Sequence, residues 1–478
     1  MQGNIRLVLR RSPRPTSAVG QEAVVGQRHS VLITLALGIS SFLTLFDVTA
    51  VVIAMPAIAK DLGFGLAGFA WIIDCYSLAF TVALLASGAL ADRFGRRRSM
   101  LVGNAVFLLA SIGCGMAASG LTLFGARVLQ GIGAAFMVTG AHALVAGAFP
   151  SAGQRARAFG VMGVISGVAM ALGPTLGSLL ASWFGWRWIF FANVPFCVAL
   201  ALAVPRLVAE TRDPEGRPLD PVGVALLTMS LGLAIDVLLR RDSSLVVTAL
   251  SVAGSVTAAT VFGWQQWRSP HPVLDPRVFA TPAMVGVGAL LTAIQYGYWA
   301  VLVYLPLFLS TGLQVSMEVA GVALLAATLP MLLVPLIGGR LAAQRGWRLL
   351  FTIAFGIVTV GDVSLLIAAL SEIPSIRFVA TVVGMATIGV GAALANPQLS
   401  SIALTLAPPT HAGMASAVMM IARQAGFAVS IAALGATLGT AHDVASFAKP
   451  FAFAALMALL GMIAALTLLP PKSMQQAH

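Results

Sequence analysis

The sequence predicts an all-α integral membrane protein with fourteen transmembrane helices, and three observations support this. Of the 478 residues, 59% are hydrophobic and 9% are charged, whereas soluble domains usually carry about 25% charged residues. Apolar stretches of about 20 residues, the length that crosses a bilayer, recur fourteen times along the chain. The polar breaks between these stretches are too short to form a separate folded domain.

The predicted helices fall into three groups along the chain. The first six cover 31–57, 67–91, 99–118, 121–149, 156–182 and 187–209; a pair follows at 221–239 and 243–264; the last six cover 282–308, 318–339, 348–370, 377–405, 411–436 and 449–470. We therefore expect an unstructured cytoplasmic tail (1–29), a six-helix bundle (30–209), a linker with two extra helices (210–280), a second six-helix bundle (281–470) and a short cytoplasmic tail (471–478).

An internal repeat supports two related halves. The loop after the second helix reads GALADRFGRR from Gly88, and the loop after the tenth reads GRLAAQRGWR from Gly339. Glycine, leucine, alanine, glycine and arginine recur in register at the equivalent position of each six-helix group. Parallel repeats of this kind are typical of transporters whose two halves rock around a central site.

The positive charge predicts the orientation of the chain. The formal net charge is +12, and Lys and Arg in short loops concentrate on the cytoplasmic side. With residue 1 in the cytoplasm, most Lys and Arg fall on that side. The outer side keeps Lys60, Arg187, Arg240, Arg241, Arg377 and Lys449. We expect a multi-pass protein of the cell inner (plasma) membrane with both termini cytoplasmic. The excess of basic residues is then explained by the orientation in the bilayer, and no nucleic-acid partner is expected.

Three ionisable residues of the first half share one layer of the membrane. Asp47, Asp74 and Arg127 lie about 15, 10 and 9 Å from the predicted outer ends of their helices. Such charges are costly in a bilayer and are commonly functional. Burial favours a neutral carboxyl and a nearby arginine favours a carboxylate, so relative movement would load and release a proton. The alternatives are a structural Asp47–Arg127 pair and an Asp74 that only meets interfacial water.

Polar and aromatic residues also lie near mid-membrane in the second half. We predict a substrate cleft lined by Gln295, Tyr296, Tyr298, Trp299, Asp362 and Arg423. The aromatic rings could stack on a flat or cationic ligand, or they could face lipid. Asp362 and Arg423 could instead neutralise each other.

Glycines shape the fifth predicted helix. Gly163, Gly167, Gly173 and Gly177 give two G-x-x-x-G spacings, and Pro174 follows Gly173. Small residues allow close helix approach and proline bends a helix axis. The pattern indicates a helix against which another helix moves.

Five segments resemble motifs of the major facilitator superfamily, and in particular its 14-helix drug:proton antiporters. They are GALADRFGRRR at Gly88–Arg98, RVLQGIGAA at Arg127–Ala135, GPTLG at Gly173–Gly177, FDVT at Phe46–Thr49 and WRWIFFANVP at Trp186–Pro195. The resemblance covers residues 30–470. It departs at Ser178, where a second glycine is common.

The resemblance implies the major facilitator fold, with two six-helix bundles plus a middle helix pair. It implies multidrug efflux by alternating access: export of amphipathic or cationic drugs in exchange for protons, with the proton gradient as energy source and no cofactor. The implied partners are a small-molecule substrate, protons and the lipid bilayer, without an obligate protein partner.

The resemblance also implies roles for particular residues. Asp47 would be the proton site and Arg127 its coupling partner, with Asp74 as a further candidate. A cytoplasmic latch between the halves would comprise Gly88, Asp92, Arg93, Gly95 and Arg96, although the arginines could serve topology alone. Gly173, Pro174 and Gly177 would seal and hinge the interface between the halves.

Several other functions find little support. Gly63–Gly68 matches G-x-G-x-x-G, but no strand precedes it, so a nucleotide site is not expected. The common hydrolase and metalloprotease motifs are absent, and Cys75, Cys114 and Cys197 form no C-x-x-C pair, so neither an enzyme nor a metal site is predicted. Export of an endogenous metabolite, siderophore or lipid stays open as an alternative, as does a non-transporting membrane sensor or scaffold.

Overall fold

The computed structural model of the chain describes residues 17–149, 151–212, 220–239, 244–269, 281–406, 412–438 and 443–470. Within these ranges all regular structure is helical. The first eight helices are α1 (Ser17–Leu62), α2 (Leu66–Phe94), α3 (Arg96–Gly115), α4 (Gly120–Ala148), α5 (Ala152–Phe184), α6 in two segments (Arg187–Phe191 and Asn193–Leu207), α7 (Pro221–Leu239) and α8 (Leu245–Arg268).

Six further helices complete the described chain. α9 consists of Pro282–Ile294, a π-helical segment Gln295–Ala300, and Val301–Gly312. α10 is broken into Met317–Ala323, Leu325–Thr328, Pro330–Leu333 and Pro335–Arg345. The rest are α11 (Trp347–Leu370), α12 (Pro374–Leu406), α13 (Ala412–Leu438) and α14 (Ala448–Leu468), with a 3₁₀ turn Val444–Phe447 before α14.

Each of the fourteen predicted stretches coincides with helical structure, which confirms the all-α membrane class. By length and hydropathy, ten described helices can cross a membrane, or up to twelve if each of two bent pairs is one span. Pro221–Val237 is a shorter apolar helix. The count of fourteen spans therefore stays a prediction.

The first helix starts earlier than expected. α1 begins at Ser17, so the expectation of an unstructured tail is wrong for residues 17–29. This segment contains helix-forming Ala, Gln and Glu and no proline, so a helix nucleated in the apolar stretch can continue through it. Residues 1–16 and 471–478 of the predicted tails, and Arg240 and Arg241 of the charge count, lie outside the described residues.

The two repeat loops share an unusual backbone turn. Gly95 between α2 and α3 has a φ of 112°, and Gly346 between α10 and α11 has a φ of 87°. Residues with a side chain rarely adopt this region, so glycine is needed where the chain reverses this sharply. The sequence repeat thus corresponds to the same turn in each half.

Glycine contacts also recur between equivalent helix pairs. A Cβ on Gly133 of α4 would lie 2.6 Å from Phe107 N of α3, and a Cβ on Gly391 of α12 would lie 2.6 Å from Ala354 O of α11. Inside a bilayer, helix association depends on such close backbone packing because lipid tails are as apolar as the side chains. The pairs α3–α4 and α11–α12 are therefore built in the same way.

The middle helices α7 and α8 are joined by polar contacts. Ser230 and Ser255 each donate to the other's carbonyl oxygen, at 3.2 and 2.9 Å. At one end of the pair, Asp220 accepts from Gln265 Nε2 at 3.0 Å and from Gln266 Nε2 at 2.7 Å. The pair packs on α2 and α13, and thereby touches both six-helix groups.

The two six-helix groups meet along α5 and α10 and also along α2 and α13. α5 packs against the first three segments of α10, whereas the last segment packs mainly on α11 and α12. Thr175 Oγ1 donates to Gly321 O at 2.9 Å, and Thr328 Oγ1 donates to Ala171 O at 2.8 Å. The groups are thus hydrogen-bonded to each other in the half of α5 that ends at Phe184.

Candidate functional site

Three hydrogen-bond donors from two helices converge on the carboxylate of Asp47 in α1. Asp47 is 0% exposed. Its Oδ1 accepts from Gln130 Nε2 at 2.8 Å and from Asn193 Nδ2 at 2.9 Å. Its Oδ2 pairs with Nη1 of Arg127 in α4. A buried ionised carboxylate requires this combination of an opposite charge and several donors.

Arg127 is held on several sides and is 1% exposed. Besides Asp47, it donates from Nη1 to Gln130 Oε1 at 2.7 Å and from Nε to Ile72 O at 3.4 Å. Its Cζ lies 4.2 Å from the ring centroid of Tyr76. A planar guanidinium can stack on a ring and donate in its own plane at the same time, which an ammonium group cannot.

Gln130 connects the ion pair to α3. Its Nε2 also donates to Ser111 Oγ at 2.9 Å, and Cys114 Sγ lies 3.6 Å from its Oε1. Gln130 is one helical turn after Arg127, so both side chains face α1 and α3. The amide fixes the relative position of the two charged groups.

Sequence reasoning found the two charged members of this network and missed the neutral ones. Gln130 lies inside the RVLQGIGAA motif, and Asn193 lies inside WRWIFFANVP. The signal that could have found them was present, because a buried amide in an apolar helix needs a partner as a charge does. Nothing in the spacing along the chain indicated that Asn193 would meet Asp47.

Asp74 stands apart from this network. It is 0% exposed, and neither carboxylate oxygen has a hydrogen-bond partner in the described residues. The Oγ of Ser77, one turn further along α2, is also without one there. The three ionisable residues of the predicted layer therefore do not form one cluster: Asp47 and Arg127 pair, and Asp74 does not join them.

A small apolar cavity lies between the two six-helix groups. From the first group it is lined by Val48, Thr49 and Val52 of α1 and Pro174 of α5. From the second it is lined by Trp299, Leu302, Val303, Leu324 and Phe427. Asp47 is not among these lining residues, although it precedes Val48.

Two of the predicted cleft residues, Gln295 and Arg423, lie close to a third, Trp299. Trp299 Nε1 donates to Asn396 Oδ1 at 3.4 Å, and its ring lies edge-on to Phe427 with centroids 6.2 Å apart. Arg423 Nη2 is 3.5 Å from Asn396 O, and Gln295 Nε2 donates to Arg423 O at 2.7 Å. Gln295 and Arg423 thus lie near the cavity without lining it.

The other predicted cleft residues face elsewhere. Tyr296 packs its ring on Phe453 of α14, and Tyr298 donates to Ala327 O at 3.1 Å. Asp362 is 0% exposed and packs near Gly297 inside the second group. These three residues do not line the cavity, because residues on one stretch of helix point in different directions around its axis. Their role in binding substrate stays a prediction.

The suggestion that Asp362 and Arg423 neutralise each other's charge is wrong. Neither oxygen of Asp362 has a hydrogen-bond partner in the part of the chain described. The ion pairs found there join Asp92 to Arg96, Arg98 to Glu210, Asp47 to Arg127, and Asp61 to Arg187. The two residues lie on different helices, α11 and α13, and face different neighbours.

The predicted latch loop makes local contacts. Arg96 donates from Nε to Asp92 Oδ1 at 2.9 Å. Glu210, after α6, accepts from the backbone nitrogens of Arg97 at 2.9 Å and Arg98 at 3.1 Å, at the start of α3. Gly95 is needed here because a Cβ would lie 2.8 Å from Glu210 Cδ. Gly88 packs near Thr139 of α4, and Arg93 lies over the ring of Phe94.

These contacts stay within the first half and its following segment. A latch between the halves is not among the contacts of the described residues, so that role stays a prediction. What the geometry supports is an acidic cap on the N-terminus of α3, where a carboxylate is electrostatically favoured.

The two glycines of the GPTLG motif in α5, Gly173 and Gly177, face α1 and not the second half. A Cβ on Gly177 would lie 2.7 Å from Ala50 Cα, and a Cβ on Gly173 would collide with Thr49. Pro174, by contrast, lines the cavity, and its carbonyl oxygen lies near Gly321 of α10. Ser178, the departure from the motif, also packs against Gly321. The GPTLG motif therefore contacts α1 through its glycines and α10 through Pro174.

Comparison with known proteins relates this arrangement to one family. The model of the family described as Major Facilitator Superfamily matches residues 37–431 and 291–477. The chain is 30% identical over 414 residues to the multidrug resistance protein Stp of Mycobacterium tuberculosis, covering 86% of this chain and 76% of that protein. It is 31% identical to a methylenomycin A resistance protein of Streptomyces coelicolor, covering 85% and 86%.

A further relative and two solved structures agree with this. The chain is 32% identical to the puromycin resistance protein pur8 of Streptomyces alboniger, covering 86% of this chain and 82% of that protein. A peptide transporter POT in complex with sulfate superposes with a TM-score of 0.66 at 16% identity, covering 90% and 94% of the two chains. A D-xylose-proton symporter gives 0.66 at 15% identity, covering 92% and 98%. At this identity the structures show a shared fold.

Proposed function

The chain belongs to the Major Facilitator Superfamily, and we propose that it exports amphipathic drugs or other toxic compounds from the cytoplasm in exchange for protons. The family makes the chain a membrane transporter and not an enzyme. The observation that carries the proposal is the buried network of Asp47, Arg127, Gln130 and Asn193. It is an ionisable site built into the interior of one half of a transporter.

Export of drugs is supported by the relatives. Three proteins that match more than four fifths of this chain are named for resistance to multiple drugs, methylenomycin A and puromycin. The lining of the cavity has the chemistry for such cargo, because Trp299 and Phe427 offer aromatic faces and the remaining residues are largely apolar. The cavity has room for about 10 Å³ in this conformation, so it must widen to admit a drug. Apolar pockets with a few polar groups are the usual sites for small organic ligands.

The chemistry of Asp47 supports proton coupling. While Arg127 holds Oδ2, the carboxylate is stable in its ionised form. When a rearrangement of α4 against α1 withdraws the guanidinium, an ionised Asp47 would be left buried without its counter-charge, which is strongly unfavourable. The carboxylate then takes up a proton from the side to which the protein is open, and releases it when Arg127 returns.

Alternating access follows from the way the halves meet. In the orientation predicted from the loop charges, the Phe184 end of α5 faces outward. The hydrogen bonds of Thr175 and Thr328 then close the outer side, while positions such as Gly160 and Gly163 of α5 face open space. In the proposed cycle, this conformation would receive substrate from the cytoplasm. Rocking of the halves would open the outer side and expose the other face of the cavity.

Ethidium efflux from energised cells tests the proposal, with wild type compared with Asp47→Asn. We expect wild-type efflux to collapse with a protonophore and to be lost in Asp47→Asn, because the amide cannot carry a proton. Asp61→Asn is the matched control. It makes the same substitution in the same helix at a carboxylate that is 47% exposed and pairs with Arg187, and it should keep efflux.

Two results would count against the proposal in different ways. Efflux that persists in Asp47→Asn would remove Asp47 from the coupling, and Asp74 would be tested next. Inserted protein that never moves ethidium, puromycin or another drug would argue against drug export, while leaving transport of an endogenous metabolite to be measured.

A further inference from the structure

Asp362 is a buried carboxyl that the proposed cycle does not use. It lies on α11 of the second half, is 0% exposed, and has no hydrogen-bond partner on either oxygen within the described chain. Asp47 in the first half has the opposite environment, with three donors and an arginine. Asp74 in the first half resembles Asp362, because it is buried and its oxygens also have no partner in the described residues.

Charged groups on the neighbouring elements lie away from Asp362. α11 packs on α12, α14, the 3₁₀ turn, the last segment of α10 and the π-helical segment of α9. Their charged or titratable residues, with those of α11 itself, are Arg340, Arg345, Arg348, Arg377, Asp443, Lys449, Tyr296 and Tyr298. Arg348 is fourteen residues before Asp362 on α11, or about 21 Å along the axis.

Lys449 is similarly remote. Ala458 of α14 lies at the level of Asp362, because both approach Gly297, and Lys449 precedes Ala458 by nine residues, or about 13 Å. The hydroxyl of Tyr298, which follows Gly297, donates to Ala327 O. An ionised carboxylate without a nearby cation or donor is too costly in such a site, so the carboxyl is neutral and holds a proton.

The π-helical segment faces this carboxyl directly. A Cβ on Gly297 would lie 3.3 Å from Asp362 Oδ2 and 2.9 Å from Val358 Cγ1. Glycine at this position thus gives the carboxyl its space. π-Helical turns are rare and are frequently found at functional sites. The same segment carries Trp299, which lines the cavity.

We propose that Asp362 is a second proton-binding site, and that its occupancy sets the register of Gln295–Ala300 and hence the position of Trp299. With the proton bound, the O–H bond on Asp362 leaves the site neutral and the segment stays π-helical. When the proton leaves to water, the carboxylate needs donors. The π-helical segment, whose Gly297 lies against Oδ2, would supply backbone N–H groups after a change of register.

The inference extends the proposed antiport to a different carboxyl, in the other half, and its test needs no transported drug. The first measurement is infrared absorption of the purified chain in lipid nanodiscs at neutral pH, in the carbonyl stretch of protonated carboxylic acids. We expect Asp362→Asn to lose a band that wild type has. Glu372→Gln, at an exposed carboxylate just after α11, should lose none. An Asp362→Asn spectrum identical to wild type in this region overturns the site.

The second measurement follows Trp299. The fluorescence of Trp299 is isolated as the difference between wild type and Trp299→Phe during an alkaline titration. We expect a shift as Asp362 loses its proton, and loss of that shift in Asp362→Asn. A Trp299 signal that stays constant over the titration, or a shift that persists in Asp362→Asn, overturns the coupling between the proton and the segment.

Discussion

At the scale of single residues, the function of the Asp47 site depends on geometry as much as on charge. Arg127 meets Asp47, Gln130 and the carbonyl of Ile72 while it stacks on Tyr76. Each hydrogen bond to a charged group contributes about 1.5–3 kcal/mol. A lysine would keep the charge and lose most of these contacts, so charge and geometry can be separated by experiment.

Arg127→Lys is therefore expected to lower proton-driven efflux at least about tenfold, since 1.4 kcal/mol corresponds to a factor of ten in rate. The measurement is the initial efflux rate of a transported drug at equal expression. Arg157→Lys, at an exposed position of α5, is the matched control and should leave the rate unchanged. Equal rates for wild type and Arg127→Lys would show that the positive charge alone suffices.

Tyr76 offers a second test at this scale. Its ring lies under Arg127, but its hydroxyl is buried with no hydrogen-bond partner in the described residues. We expect Tyr76→Phe to have a melting temperature equal to or above wild type, because the substitution removes an unsatisfied polar group. Tyr76→Leu should lower it, because a desolvated cation–π contact contributes about 2 kcal/mol. A loss of stability in Tyr76→Phe would reveal a partner for the hydroxyl.

Individual charged residues could be predicted from the sequence, and their partners only in part. Asp47 and Arg127 were identifiable because charges in apolar helices are rare. Asn193 was not, because its meeting with Asp47 depends on how α6 packs on α1. Asp362 was placed in the cleft because depth along a helix can be counted from the sequence, whereas the direction of a side chain depends on packing.

At the scale of helices, α5 shows that glycines with the same spacing along the chain can differ in whether they contact a neighbouring helix. Gly177 lies where a Cβ would be 2.7 Å from Ala50 Cα, whereas Gly163 has open space around its Cβ position. Each of these glycines belongs to one of the two G-x-x-x-G pairs of α5. The pattern alone treats them as equivalent, and the structure distinguishes them.

Gly177→Ala is expected to destabilise the protein by about 1–3 kcal/mol, the usual cost of overpacking, because α5 must move away from α1. Gly163→Ala in the same helix should be neutral or slightly stabilising, since alanine is the better helix former by about 1 kcal/mol. Thermal unfolding in detergent measures both. Equal melting temperatures for the two variants would mean that α1 and α5 are not packed this closely.

Helix positions were predictable from the sequence to within a few residues because apolar length determines them. The turns of the chain at Gly95 and Gly346 could also be predicted, because a glycine recurs in register in the two arginine-containing repeat loops. The π-helical segment Gln295–Ala300 was not. Its sequence is compatible with an ordinary α-helix. The segment packs against α11, α13 and α14, and these contacts cannot be predicted from the local sequence.

At the scale of the whole molecule, the contact between the halves belongs to one conformation of a moving protein. The sequence repeat predicts two halves, but it does not say where they touch. Hydrogen bonds across the interface include those from Thr175 to Gly321 O and from Thr328 to Ala171 O. Both lie on the same stretch of α5, so they close one side of the molecule only.

Removing both bonds should shift the balance between the two open states. Each net hydrogen bond contributes about 1 kcal/mol, and leaving the carbonyl unpaired adds to that. Thr175→Val with Thr328→Val is therefore expected to increase the population open on the Phe184 side by roughly tenfold or more. The measurement is the distance between spin labels placed on α5 and α10 at that end, by pulsed electron resonance.

Thr352→Val with Thr359→Val is the matched control, because both hydroxyls donate to carbonyls of their own helix, at 2.8 Å each. The control should keep the wild-type distance distribution. If the double variant at the interface also keeps it, the apolar packing of α5 on α10 alone holds this side closed. The movement between states would then have to begin elsewhere, for which Arg127 and its pairing with Asp47 would be the first place to look.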